Sequence, residues 1–402
     1  MARDFDVVLL GATGFTGRLV AAHLATSASP GLRLALAGRN LKKLEEVRQG
    51  LPEAAHAWPL LEVDSGREAD MQRLAAATRV VCTTVGPNAK YGMPLMVACA
   101  AAGTHTCDLT GETQFMRDCI DRCDAPARAS GARLVHTCGV DSIPSDLGML
   151  VLHQALGPMR RATGSVEVFK GGGSGGTFAS MVNALEEGLA DPARRRLMAD
   201  AYALSPDRAA EPQLGRERDL ATVKYDDFVG SWTAPFLMAS VNTRVVRRTA
   251  ALLGHAYGKA FRYAEVSGMG KGARGFGRAV RMTAMLGALF GGLVNPWTRK
   301  LLMARLPQPG EGPSESARKN GRLRIRFLGE GEDGRRGSVV VAGQGDPGYQ
   351  LTSVMMGEAA LCLAEDQAAL PSRAGVLTPA TAMGMVLVER LRKAGMRFEA
   401  QV

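Results

Sequence analysis

Residues 5–17 read FDVVLLGATGFTG. Phe5–Leu10 is a short apolar run of the kind that forms a buried strand, and Gly14–Ser27 beyond it has helical character. Between them Gly11-Ala12-Thr13-Gly14-Phe15-Thr16-Gly17 places glycines at a G-x-x-G-x-x-G spacing. Gly11 permits the tight turn, Gly14 lets the main chain approach a pyrophosphate, and Gly17 lets the helix pack closely on the sheet. The unpaired N–H groups and the positive dipole end at the start of that helix complement phosphate. The loop, including Thr13, Phe15 and Thr16, is therefore expected to hold a dinucleotide.

Strand and helix signals alternate outward from this point. Strands are expected at Leu32–Ala37, Ala57–Val63, Val80–Val85, His105–Leu109 and Arg133–Thr137. Helices are expected at Leu41–Leu51, Glu68–Ala77, Pro94–Ala102 and Phe115–Ser130. Strands separated by helices imply parallel pairing, hence a Rossmann-type doubly wound α/β sheet over residues 1–138. Residues 139–375 change in style, with a glycine-rich stretch at 171–176 and a hairpin expected from Arg322–Leu328 and Gly337–Ala342. They are read as a second, α+β domain for substrate or interaction. An exposed loop is expected over Leu306–Ser316, and helices over Leu351–Glu365 and Pro379–Ala394. Residues 376–402 are expected to return as a C-terminal helix onto the first domain.

The end of the second strand selects the cofactor. An acidic residue there suits the ribose hydroxyls of NAD, but this chain has Arg39, followed by Asn40, Lys42 and Lys43. A guanidinium matches a 2′-phosphate through paired, charge-assisted hydrogen bonds, so NADP(H) is preferred. Asp64, after the third strand, is placed near the adenine. Gly86 and Pro87, after the fourth, are placed near the nicotinamide ribose, since ligands bind at the carboxyl ends of parallel strands.

Composition narrows the class further. The 402 residues carry a formal net charge of +10 and exceed what one core usually holds. No run reaches the roughly 20 apolar residues that cross a bilayer, and no signal-peptide architecture is present. The 7 cysteines lack the paired spacing of a zinc site and read as reduced, buried thiols of a cytoplasmic protein, with no metal expected. Residues 244–336 hold 19 Lys/Arg against 6 Asp/Glu. Such a basic region fits an anionic partner: a phosphate-bearing substrate, an acidic carrier protein or an anionic membrane surface. Nothing resembles a nucleic-acid-reading motif.

Together, FDVVLLGATGFTG, Ala37-Gly38-Arg39-Asn40, TVGPNAKYG (84–92), DLTGE (108–112), CGVDSIPSDLG (138–148), FKGGGSGGTFAS (169–180) and GVLTPATAM (375–383) resemble the saccharopine dehydrogenase-like oxidoreductases. The resemblance is strongest to their trans-acting enoyl reductase branch. It implies NADPH-dependent reduction of an activated carbon–carbon double bond in a lipid or polyketide acyl substrate, free or carrier-bound. The saccharopine-type alternative is reduction of an amino-acid-derived imine. A third reading is a non-catalytic NADP(H)-binding sensor or lipid-associated scaffold.

Enoyl reduction needs a proton donor at the α-carbon and stabilisation of the developing enolate oxygen. Tyr91, in the loop after the fourth strand, suits either task or simply packs that loop. Asp108, Glu112, Asp141 and Ser142 are all expected to face the cleft, with Asp141 the catalytic candidate or a helix cap. His136 is expected to be a core histidine. Lys170 and the glycines at 171–176 are either an anion site or a connection. Met282–Val294, flanked by Arg278, Arg281, Arg299 and Lys300, reads as an interfacial helix, a channel wall or a core helix.

Overall fold

The computed structural model describes residues 3–172, 175–215, 217–303 and 312–401. The first sheet is built from β1 (Phe5–Leu10), β2 (Leu34–Gly38), β3 (Leu60–Glu62), β4 (Thr78–Thr83), β5 (His105–Asp108) and β6 (Arg133–Val135). Their connections carry α1 (Phe15–Ser27), α2 (Leu41–Gln49), α3 (Glu68–Ala77), α4 (Asn88–Tyr91), α5 (Met93–Ala102) and α6 (Thr113–Ser130). After α7 (Ile143–Leu156) a second sheet begins with β7 (Met159–Lys170). There follow α8 (Gly175–Ala190), α9 (Pro192–Ala199), β8 (Lys224–Asp226), β9 (Ser231–Ala234), α10 (Ala239–Leu252) and β10 (Arg262–Gly270). Then come α11 (Gly272–Val294), α12 (Pro296–Met303), α13 (Glu315–Lys319), β11 (Arg322–Gly331) and β12 (Arg336–Gln344). The chain closes with α14 (Thr352–Glu365), β13 (Gly375–Leu377), α15 (Pro379–Lys393) and β14 (Arg397–Gln401).

The first sheet runs β13-β6-β5-β4-β1-β2-β3, and all its pairs are parallel. This is the doubly wound Rossmann order with one late strand added beside β6. The central strands are apolar on both faces because helices cover both: Val7, Val8, Leu9, Val80, Val81 and Cys82 are all buried. The second sheet, β14-β12-β11-β7-β10-β9-β8, is antiparallel except for the β7–β10 pair. On β11, Leu323, Ile325 and Phe327 face the core, while Arg322 and Arg324 are exposed, as the alternation requires.

Several expected boundaries move, each for a local reason. β3 keeps only Leu60–Glu62, because Pro59 has no N–H and a 3₁₀ turn occupies Glu53–Ala55. β6 stops at Val135, two residues before Thr137 takes a left-handed φ of 60°. Both hairpin strands run longer than expected. Of the loop expected over 306–316, residues 306–311 lie outside the described residues, and Glu315 already starts α13, which Ser314 caps through Ala317 N–H.

The chain also returns to the first sheet earlier than 376. α14 packs against α1, β1, β4 and β5, and Gly357 makes this possible: a Cβ there would lie 2.4 Å from the His23 ring. The tail is shared between the sheets. β13 joins β6, α15 rests on α7 and α14, and β14 completes the edge of the second sheet against β12. α7 ties the halves together. Gly148 brings it close enough to β11 that an added Cβ would lie 2.5 Å from the Phe327 ring.

Candidate active site

The loop that opens α1 is shaped by contacts that exclude side chains. Gly11 has φ +89°, donates its N–H to Ala37 O at 2.9 Å, and would place a Cβ 2.8 Å from Thr84 Oγ1. A Cβ on Gly17 would lie 2.2 Å from Gly11 O, so only glycine lets the first turn of α1 sit on the loop. Gly14 is the N-cap, and no side chain caps the helix. The first turn of α1 also carries no acidic residue. Its N–H groups are thus left for an anion. This cradle fits a pyrophosphate: among the described residues no side chain caps it, and a Cβ at Gly11 or Gly17 would collide with its walls.

Arg39 follows β2 and is exposed, with no side-chain hydrogen bond or ion pair among the described residues, so its guanidinium is available to a phosphate. Asn40 is already used: its side chain accepts Lys43 N–H at 3.0 Å as the N-cap of α2. Asp64 Oδ1 accepts Gly66 N–H at 3.0 Å, closing a turn after β3. Gly86 is exposed beyond β4 and is joined to Pro87 by a cis peptide.

The second half of the chain reaches this loop. The Phe15 ring meets Tyr349 edge to face at 5.2 Å, with the Arg318 guanidinium 5.5 Å from its centre. Gly312 passes so close that a Cβ would lie 2.5 Å from Phe15. Asp346, buried, accepts N–H groups from Gly172 at 2.7 Å and Tyr349 at 2.8 Å. Gly171 and Gly172 are therefore pinned to the segment carrying Tyr349; residues 173 and 174 lie outside the described residues. Lys170, beside them, is exposed. None of these cross-chain partners of Phe15 carries a sequence signal, since each depends on a contact more than 290 residues away in the chain.

The acidic residues after β5 and β6 do not share one role. Asp108 is fully buried: Oδ2 lies 2.6 Å from His136 Nδ1, and Oδ1 accepts Thr110 N–H at 3.0 Å. Glu112 accepts the N–H groups of Asn88 at 2.9 Å and Ala89 at 2.8 Å, fixing the start of α4. Ser142 is buried and donates to Asn242 Oδ1 at 2.9 Å. Of these residues only Asp141 keeps partial exposure, and its carboxyl is held by its own backbone N–H, with no bond to another side chain among the described residues. A Cβ on Gly111 would lie 4.0 Å from Asp141 Oδ1, and Gly111 itself faces Met238 and Val241 near the start of α10. Burial, reinforced by the negative charge of Asp108, pushes the Asp141 carboxyl up to about 7. Tyr91, at the end of α4, is 43% exposed, and among the described residues its hydroxyl has no hydrogen-bond partner, Asp141 included.

Behind Asp141 lies a buried polar network that the sequence does not announce. Glu265 on β10 accepts Tyr263 O–H at 2.6 Å and Asn242 Nδ2–H at 2.8 Å. Burial pushes it up to about 7, so the neutral acid prevails below neutrality and the two forms are comparable at neutral pH. Asp146 on α7 accepts Thr249 O–H at 2.5 Å and Ala380 N–H at 2.8 Å, and burial lifts it to about 6. These bonds join α7, α10, β10 and the start of α15.

Residues 7–135 match the model of the saccharopine dehydrogenase NADP-binding domain. The chain is 40% identical over 414 residues to the trans-acting enoyl reductase of Mycobacterium ulcerans, spanning 99% of this chain and 98% of that one. It is 40% identical over 415 residues to the trans-acting enoyl reductase of Mycobacterium tuberculosis H37Rv, at 98% and 97% coverage. A second protein of that strain, provisionally given the same name, is 45% identical over 410 residues, at 99% and 97% coverage.

The chain belongs to the saccharopine dehydrogenase-like oxidoreductases.

Within that family it falls in the trans-acting enoyl reductase branch and is an NADP(H)-dependent oxidoreductase. The saccharopine dehydrogenase fold extends over its whole length: the apo yeast enzyme of the L-Glu-forming type superposes with a TM-score of 0.54. That alignment covers 98% of this chain and 99% of the yeast chain at 12% identity. Each of the seven cysteines of this saccharopine dehydrogenase-like chain is buried and free. Among the described residues, no helix is long and apolar enough to cross a membrane.

Proposed function

We propose that this oxidoreductase reduces the carbon–carbon double bond of an α,β-unsaturated acyl thioester, delivered on a carrier and built by a polyketide- or lipid-assembling system. The observation that carries the proposal is the Asp141 carboxyl, which no other side chain among the described residues engages and which burial holds near 7, at the ends of parallel strands of an NADP-binding sheet. The names of the full-length relatives point the same way.

NADPH, when bound, supplies the hydride that goes to the β-carbon. Gly11, Thr13, Gly14, Phe15, Thr16 and Gly17 would hold its pyrophosphate, with Arg39 on the 2′-phosphate and Asn40 beside it. Asp64 would lie toward the adenine, and Gly86 and Pro87 toward the nicotinamide ribose. Asp141 gives its proton to the α-carbon, and partial exposure lets its carboxylate regain one from solvent. Tyr91 O–H donates a hydrogen bond to the thioester oxygen as charge develops there. Gly111 leaves room for substrate against Met238 and Val241.

The test is NADPH oxidation by the purified chain, with an enoyl thioester in one arm and a glutamate-derived imine in the other. Turnover on the thioester with one saturated product is expected. Turnover on the imine alone would transfer the assignment to the saccharopine-type reaction. Tight NADPH binding without turnover on either substrate would make the protein a sensor.

A further inference from the structure

Beyond the cleft, α11 and α12 form a helical pair that the proposed reaction does not use. Of the 23 residues of α11, only Gly275, Ala279 and Leu293 are buried. Phe276, Val280, Met285, Phe290, Trp297 and Leu301 are exposed, and Trp297 is 87% exposed. Isolated exposed apolar residues are ordinary, but a run of them along one projecting helix is not. α11 is anchored at its base, where Phe276 meets Trp232 edge to face at 4.9 Å, and Arg299 on α12 pairs with Glu186 at 2.9 Å.

Along the segment itself the charge has one sign, Glu186 of α8 being the acid that meets it at Arg299. No Asp or Glu occurs from Val266 to Gly310. Arg274, Arg278 and Arg281 fall at i, i+4 and i+7, which sets them in one stripe along α11. Phe276, Val280, Gly287 and Val294 follow the same helical spacing on the opposite side of the helix, the cationic face on one side and the apolar one on the other. All three arginines of the first stripe are exposed and, among the described residues, without an ion pair. The helix is about 35 Å long at its ordinary rise and presents an elongated surface. A tryptophan ring with one polar edge, aliphatic side chains and arginine stems that extend toward charge are the components of an interfacial helix.

We infer that the α11–α12 pair docks this protein on an anionic membrane surface. The Phe276–Val280 stripe, Trp297 and Leu301 enter the headgroup–acyl boundary, and Arg274, Arg278, Arg281 and Lys300 meet the lipid phosphates. The charge complementarity decides the occupant: an acid-free, cation-lined apolar helix matches a surface that is negative and apolar in successive layers.

The full chain should be sedimented with vesicles of phosphatidylcholine alone and with vesicles of equal parts phosphatidylcholine and phosphatidylglycerol. Binding to the mixed vesicles, weak binding to the neutral ones and partial release by salt are expected. Reversing one exposed arginine, Arg278→Glu, should weaken binding at least about fivefold, as should Arg281→Glu. Trp297→Ser combined with Leu301→Ser should weaken it further, with an unchanged thermal melt showing that the fold is intact. Failure to bind either vesicle, or equal binding by the variants, overturns the inference. It is also overturned if the Ser double variant dissolves a dimer of a wild-type chain that ignores vesicles, which assigns the face to a second copy. Capture of an acidic carrier protein in place of vesicles overturns it too.

Discussion

The rings of Phe15 and Tyr349 meet edge to face with centroids 5.2 Å apart, joining the cofactor loop to a segment 334 positions later in the chain. The first turn of α1 is therefore not positioned by the Rossmann half alone. Tyr349→Leu keeps an apolar, though smaller, side chain and removes the ring pair, a contact worth about 0.5–1.5 kcal/mol beyond burial. NADPH affinity should fall severalfold while the fold persists. Titration calorimetry beside a thermal melt checks this, and unchanged affinity would show that the loop stands without its partner.

Arg39 is exposed and, among the described residues, unpaired at the end of β2. Its removal should cost the 2′-phosphate its charge-assisted hydrogen bonds, each worth about 1.5–3 kcal/mol. Arg39→Asp is expected to raise the KM for NADPH at least about tenfold and to leave NADH nearly unaffected. Equal changes for both cofactors would refute the assignment of Arg39.

Gly17 admits no side chain, since its Cβ would lie 2.2 Å from Gly11 O. Gly17→Ala should force α1 away from the loop, costing about 1–3 kcal/mol of stability as overpacking does. NADPH binding should be lost even at temperatures where the variant remains folded. Protection by NADPH in a thermal shift assay measures both effects.

Burial holds Asp141 near 7, so the acid form that donates a proton is depleted as pH rises through that value. The turnover rate of the wild type should fall on the alkaline side of about pH 7. Asp141→Asn should lose this limb and turn over about 10²–10⁴-fold more slowly, the usual worth of a positioned acid. A retained limb in the variant would move the donor role to Tyr91.

Glu265 supplies a pH effect on stability rather than on rate. Its folded value near 7 lies above the ordinary 4.5, so between these pH values the folded state holds the extra proton. Its contribution therefore falls as pH rises through that window. Glu265→Gln removes this dependence, so the Tm of the variant minus that of the wild type should grow from pH 4.5 to 7. A pH-independent difference would mean that Glu265 is not neutral in the fold.

Much of the Rossmann half was legible because its signals are local. Strand runs, Gly11, Gly14 and Gly17 sit within a few residues of one another, and Pro94 marks the first turn of α5. The acidic residues after β5 and β6 were harder to sort. They are alike in sequence, yet Asp108 is taken by His136, Glu112 by the amides of α4, and Asp141 only by its own backbone N–H. The apolar surface of α14 states that the helix is buried and not against what; the close approach at Gly357 places it on α1.

The sequence by itself determined the parallel sheet, the glycine loop that opens α1 and the preference for NADP(H), since each follows from the period, spacing and charge of neighbouring residues. The tertiary structure decided which carboxyl stays free, how Glu265 and Asp141 are pushed toward neutrality, and how Tyr349 and Arg318 come to enclose Phe15. Those outcomes depend on desolvation and on partners remote in the chain, and neither quantity exists until the two sheets are packed together.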